Sequence, residues 1–148
     1  MSNDTNRDEI TAELRLEREI DRHLDDIVKL AEDRIEKLGV IGKMSPSQLR
    51  NAASVATNTE SSFRTIKNWI RYQVARTSSP WPADFADGIV KDCEGLLKEL
   101  AGKIAKTPET EPDVHIRLIR LYLGYLIRAF TYKKFEADTI KKGGGSNV

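Results

Sequence analysis

The chain has 148 residues, with 24 lysines and arginines against 23 aspartates and glutamates, so its formal net charge is only +1. This length suits one domain with a hydrophobic core of its own. The single cysteine, Cys93, excludes an intramolecular disulfide and a multi-cysteine zinc site. No apolar run approaches the roughly 20 residues of a membrane span, so we expect a soluble, cytoplasmic protein without membrane contact.

The charges are distributed unevenly along the chain. Residues 43–76 contain six basic side chains and one acidic side chain, and residues 114–148 contain seven and two. Residues 1–42 and 77–113 are acidic, with an excess of five and four carboxylates. Such separation within a nearly neutral chain favours a polyanionic partner.

All predicted elements are helical, and together they predict an all-α, single-domain bundle of about five helices. Residues 1–8 are polar and are expected to be flexible. A long, strongly charged helix with one apolar stripe follows and runs to Leu38, where Gly39 ends it. The connection after it carries Val40 and Ile41, which should pack against the bundle or a partner.

The next predicted helix begins in the stretch Ser45–Arg76. Ser45 is a favourable N-cap, Pro46 suits the first helical position, and Gln48 can complete a capping box. Three turn-favouring residues at 57–59 predict that the stretch divides there into two helices.

The second half of this stretch has two contrasting faces. At about 100° per residue, apolar side chains such as Ile66 and Ile70 spread over one broad face. The opposite face carries Arg64, Lys67 and Arg71. The apolar face is therefore expected to pack against the rest of the bundle, and the opposite face is expected to carry positive charge.

The fourth predicted helix begins at Asp84, expected as its cap, after a proline-rich break. Its apolar stripe includes Cys93, which we interpret as a core residue. Gly88, Gly95 and Gly102 recur at intervals of seven on one flank. Since each glycine costs about 1 kcal/mol relative to alanine in a helix interior, they suggest that something approaches closely there; tolerated surface glycines are the alternative.

The last predicted helix runs from Val114 to about Lys141 and is apolar almost all round, as expected for the central, mostly buried helix of a bundle. Its exception is a narrow stripe of Arg117, Arg120 and Arg128. We assign residues 9–142 to the bundle domain and residues 143–148 to a flexible, glycine-rich tail.

No motif for catalysis is present. His23 and His115 lack the neighbours of a zinc site, and no phosphate-binding glycine loop or nucleophile elbow occurs. We therefore expect no metal, no cofactor and no enzymatic activity. The basic stripes leave two interpretations open: they pair internally with the acidic helices, or they bind phosphates beside Asn51, Asn68 and Tyr72.

Three short motifs resemble the small helical subunit of type III-A CRISPR effector complexes. They are SPSQLR at 45–50, the Tyr72–Arg76 spacing at the end of a helix, and Phe130–Thr131–Tyr132 leading into Phe135–Glu136–Ala137. The similarity spans about residues 40–138. The family usually continues with Ala–Tyr, where this chain has Asp138–Thr139–Ile140.

The resemblance implies a non-catalytic bundle that stacks head to tail in several copies along the guide-RNA complex, beside the backbone and large subunits, and contacts the backbone of the target RNA. Arg50, Tyr72 and Arg76 occupy the matching motif positions. The charge pattern adds the remaining candidate RNA-binding residues: Lys43, Arg64, Lys67, Arg71, Arg117, Arg120 and Arg128.

Two other functions remain open. The first is a helical protein–protein adaptor that docks through the glycine flank and Val40–Ile41, with the basic stripes neutralised internally. The second treats Ser45–Arg76 as a helix-turn-helix that binds duplex DNA, which would require a dimer and a recognition helix facing base edges.

Overall fold

The computed structural model describes residues 2–38, 42–58 and 62–145, and within these ranges the regular secondary structure is entirely helical. The all-α prediction is therefore confirmed for the described residues. Their helices are α1 (Ser2–Arg22), α2 (Leu24–Leu38), α3 (Pro46–Thr57), α4 (Phe63–Ala75), α5 (Ala83–Glu94), α6 (Leu96–Ile104) and α7 (Glu111–Gly145).

The described residues form more helices than the predicted five because two of the predicted helices are each interrupted at one residue. At His23, the amide donates to the carbonyl of Ile20 at 3.0 Å, a tight turn that separates α1 from α2. At Gly95, φ is −92° and ψ is −104°, which ends α5 and starts α6. A Cβ at this position would lie 2.9 Å from the carbonyl oxygen of Lys91, so the break favours a residue without a side chain.

The ends of several helices also differ from the sequence prediction. α1 begins at Ser2, within the segment predicted to be flexible, and Asp4 in its first turn favours a helix start there. α5 begins at Ala83 with Pro82 as N-cap, so Asp84 lies in the first turn and is not the cap. The predictions for Gly39, Val40 and Ile41 fall outside the described residues.

The predicted start of α3 is confirmed. Ser45 is the N-cap with extended backbone, and its amide donates to Oε1 of Gln48 at 2.8 Å. The Gln48 side chain also donates from Nε2 to the carbonyl of Ser79 at 3.0 Å. One glutamine therefore closes the capping box and ties the start of α3 to the loop after α4.

α7 packs against α2, α3, α4 and α6. Its fully buried side chains include Leu118, Tyr122 and Phe130. α1 makes fewer contacts, and residues 3–15 are exposed throughout. Among the helices that the structure describes, none has both the length and the apolar character needed to cross a bilayer.

A buried polar network joins α2, α5 and α7. Arg34 donates from Nε and Nη2 to the two carboxylate oxygens of Asp92, at 2.9 and 2.8 Å. The hydroxyl of Tyr122 donates to the same carboxylate. Asp92 is buried, and burial of a carboxylate is unfavourable unless it is paired. The hydrogen bonds from the Arg34 guanidinium and the Tyr122 hydroxyl compensate for this cost.

The three glycines at intervals of seven have three different surroundings. A Cβ on Gly88 would overlap the guanidinium of Arg34, so the expected close approach is confirmed at this position. Gly95 lies between α5 and α6, whereas a Cβ on Gly102 would meet nothing within 4 Å. The glycines therefore do not form one continuous docking flank, because Arg34 fills it at Gly88 and the helix breaks at Gly95.

We predict that alanine substitutions at two of these glycines have opposite effects on the free energy of unfolding. Gly88→Ala would displace Arg34 from Asp92 and lower the free energy of unfolding by about 1–2 kcal/mol. Gly102→Ala, the matched control, should raise it by up to about 1 kcal/mol, the usual gain in helix propensity. Urea unfolding followed by circular dichroism measures both, and equal effects would show that Arg34 does not need the space above Gly88.

Candidate nucleic-acid interface

The buried and the exposed side chains of α4 lie on opposite faces of the helix, as the sequence predicts. Ile66, Ile70 and Gln73 are buried, whereas Arg64 and Arg71 are exposed. Asn68 and Tyr72 are exposed on the same side of the helix, and Tyr72 has 63% of its surface accessible. The exposed face therefore offers two guanidinium groups, an amide and a phenol ring to solvent.

The C-terminal half of α4 is held by the proline-rich loop that follows it. Trp81 donates its backbone amide to the carbonyl of Gln73 at 3.0 Å, and its ring packs edge-on against Trp69 at 5.7 Å between centroids. Arg76, the C-cap, donates to Oε1 of Gln73 at 3.0 Å. These contacts fix the orientation of α4, so its basic face stays turned to solvent.

Two further candidate residues precede or lie on α3. Arg50 is exposed beside Asn51, on the side of α3 opposite the buried Leu49 and Ala52. Lys43 is exposed in the connection before the helix. The two helices α3 and α4 contact each other.

Two of the candidate residues, Lys67 and Arg117, form ion pairs with carboxylates of other helices. Lys67 on α4 is half-buried and its Nζ lies 2.5 Å from Oε1 of Glu94 on α5. Arg117 on α7 pairs with Glu13 on α1, with 2.6 Å between Nη1 and Oε1. Internal pairing with the acidic helices therefore accounts for Lys67 and Arg117.

Arg120 is engaged with backbone carbonyls, and it pairs with no carboxylate among the residues that the structure describes. Its Nε donates to the carbonyl of Ala56 at 2.5 Å, and its Nη2 donates to the carbonyl of Asn58 at 3.4 Å. These carbonyls lie at the C-terminal end of α3, where the helix leaves acceptors without intrahelical partners. Arg120 thus caps α3 from α7, a role that no local sequence pattern indicates because the partners are more than 60 residues away.

Four further candidate arginines carry charge that no carboxylate neutralises within the described residues. Arg50, Arg64 and Arg71 form no ion pair with any other residue that the structure describes. Arg128 on α7 is exposed and lies over the ring of Tyr125, 5.3 Å from its centroid. Guanidinium groups of this kind bind phosphate oxygens in a bidentate manner.

His115 and Cys93 are buried in structural contacts. His115 lies 2.7 Å from the carbonyl of Cys93 through Nε2 and packs against the ring of Phe63. Burial lowers the pKa of His115 and raises the pKa of the Cys93 thiol, so both groups stay neutral near pH 7. Across residues 2–38, 42–58 and 62–145, no three His, Cys, Asp or Glu side chains are grouped to hold a metal ion.

We predict that Arg120→Ala destabilises the fold, whereas Arg128→Ala does not. Losing the Arg120 guanidinium leaves the carbonyl of the buried Ala56 without its donor, which should cost about 1–3 kcal/mol. The exposed Arg128 is the matched control on the same helix and should change stability by less than about 0.5 kcal/mol. Urea unfolding midpoints distinguish the two, and an unchanged midpoint for Arg120→Ala would contradict its capping role.

Comparison with known proteins gives the chain no relative. Protein-family models, curated proteins and solved structures were all compared with it, and none matches. The function of the basic face is therefore inferred from its own residues and their surroundings.

Proposed function

We propose that this protein is a non-catalytic, RNA-binding structural subunit of an RNA-guided antiviral complex, similar to the small helical subunit of type III-A CRISPR effectors. The observation that carries the proposal is the exposed face of α4. Arg64 and Arg71 extend from it without an internal partner among the described residues, on the side opposite the buried Ile66 and Ile70.

The chemistry of this face suits an RNA backbone better than base edges. Arg64 and Arg71 lie two turns apart, about 10 Å along the helix, so they can contact separate phosphates. Asn68 between them can bond a ribose hydroxyl, and Tyr72 offers a flat ring at the end of the row. Contacts with phosphates and riboses position a strand without reading its sequence.

The charge arrangement also suits the assembly that we propose. The exposed half of α1 is acidic, whereas the last part of the sequence is basic. Copies related by translation could set these unlike surfaces against each other, as head-to-tail stacking along a guide-RNA complex requires. In this proposal α7 is the central helix of the bundle, and the backbone and large subunits of the complex are the other protein partners.

The two alternative functions have less support. An adaptor that docks through the glycine flank loses much of that surface, because Arg34 occupies the space above Gly88. A duplex-DNA reader would need side chains aimed at base edges, and the exposed cations of α3 and α4 are better suited to phosphates. A preference for duplex DNA over single-stranded RNA would nevertheless favour the second alternative.

We predict that Arg64→Ala combined with Arg71→Ala weakens binding to single-stranded RNA and leaves the fold intact. Each lost phosphate contact should reduce the slope of log affinity against log salt by about 0.7, so the pair should reduce it by about 1.4. Fluorescence anisotropy with a labelled single-stranded RNA of mixed sequence, repeated over a salt series, measures both quantities.

The matched control is Arg18→Ala combined with Lys103→Ala, which removes two exposed cations from α1 and α6. This variant carries the same net charge as the α4 variant, so a general loss of positive charge would affect both equally. We expect it to bind RNA almost as well as the unmodified protein. Identical affinity and salt slope for both variants would rule out the α4 face as the binding site.

A further inference from the structure

The C-terminal half of α7 carries a second exposed feature, which we name the aromatic stripe and define as Tyr125, Arg128, Tyr132 and Phe135. At about 100° per residue these four positions fall within about 80° of one another around the helix. They extend about 15 Å along it. The stripe therefore forms one continuous row on the surface.

The members of the aromatic stripe form two neighbouring pairs. The guanidinium of Arg128 lies 5.3 Å from the centroid of the Tyr125 ring. The rings of Tyr132 and Phe135 have centroids 6.4 Å apart, with 32° between their planes. Tyr125 is partly buried against the core, whereas Tyr132 and Phe135 have 63% and 64% of their surface exposed.

This composition distinguishes the stripe from an ordinary apolar docking face. All four members have planar π systems, and no aliphatic side chain belongs to the row. The neighbouring hydroxyls of Thr131 and Thr139 donate back to carbonyls of their own helix, each at 2.8 Å. The stripe therefore presents flat faces and one cation, which is the combination that binds stacked bases.

The cation in the stripe indicates the charge of its occupant. Residues 125–140, which include the stripe, contain three basic and two acidic side chains. Of the three cations, Lys133 pairs with Glu36 on α2. Arg128 lies in the stripe and forms no ion pair within the described ranges. A ligand with both negative charge and flat faces complements this surface, and single-stranded nucleic acid has both properties.

We propose that the aromatic stripe of α7 stacks bases of single-stranded RNA. This inference rests on the proposed function, in which α4 holds the backbone of such a strand, and it adds a second site with a different physical basis. Binding at the stripe depends on base surface and is sequence-tolerant, because every base has a π face. It should therefore contribute affinity that salt screens less than the phosphate contacts.

The test compares two ligands and three proteins. The ligands are a single-stranded RNA and an abasic ribose-phosphate oligomer of the same length. The proteins are the unmodified chain, Tyr132→Leu with Phe135→Leu, and Ile10→Ala with Leu14→Ala as the matched control. Leucine keeps the apolar bulk without the ring, and the control removes exposed apolar side chains from α1.

We expect the unmodified chain and the control to bind RNA about tenfold more tightly than the abasic oligomer. The Tyr132 and Phe135 variant should lose that preference while keeping its salt slope. Equal affinity of the unmodified chain for both ligands would overturn the stacking proposal and leave the backbone site standing. Failure to bind either ligand would overturn both proposals.

A protein partner for the stripe would give a different result. In that case the leucine variant would retain its preference for RNA over the abasic oligomer but would lose self-association in sedimentation velocity. Such a result would overturn the stacking proposal and assign the stripe to a contact between protein chains.

Discussion

The buried carboxylate of Asp92 is the constraint on which the arrangement of the helices depends. It lies on α5, takes two hydrogen bonds from Arg34 on α2, and takes a third from Tyr122 on α7. The hydrogen bond with Asp92 raises the pKa of Arg34, and burial followed by the Asp92 charge raises the pKa of Tyr122. The guanidinium therefore stays charged and the phenol stays protonated near neutral pH, so all three helices remain tied together.

This internal use of charge determines which cations remain for a ligand. Arg34 occupies the space above Gly88, Lys67 and Arg117 neutralise carboxylates of other helices, and Arg120 caps α3. Each of these contacts holds one helix against another. The exposed arginines of α4 take no part in them, so removing their charge should change stability little.

The sequence predicts well where helices form and which face of each helix is buried, because both depend on residues three or four apart. The capping box at Ser45 and the two faces of α4 are correct for this reason. The breaks at His23 and Gly95 were not predicted, since a single residue within an amphipathic pattern gives little signal. The partners of Arg34 and Arg120 were not predicted either, because they lie 58 to 64 residues away in the chain and only tertiary packing brings them together. Gly88 was the one local indication of such a partner.

We propose that the protein serves an RNA-guided complex through its exposed basic face. Gentle purification of the tagged protein from its native host, with identification of the RNA and proteins that accompany it, tests this proposal. We expect RNA of guide length together with larger CRISPR subunits, at a stoichiometry of several copies of this chain per complex. Recovery of unrelated proteins without RNA would contradict the claim and would favour a helical adaptor.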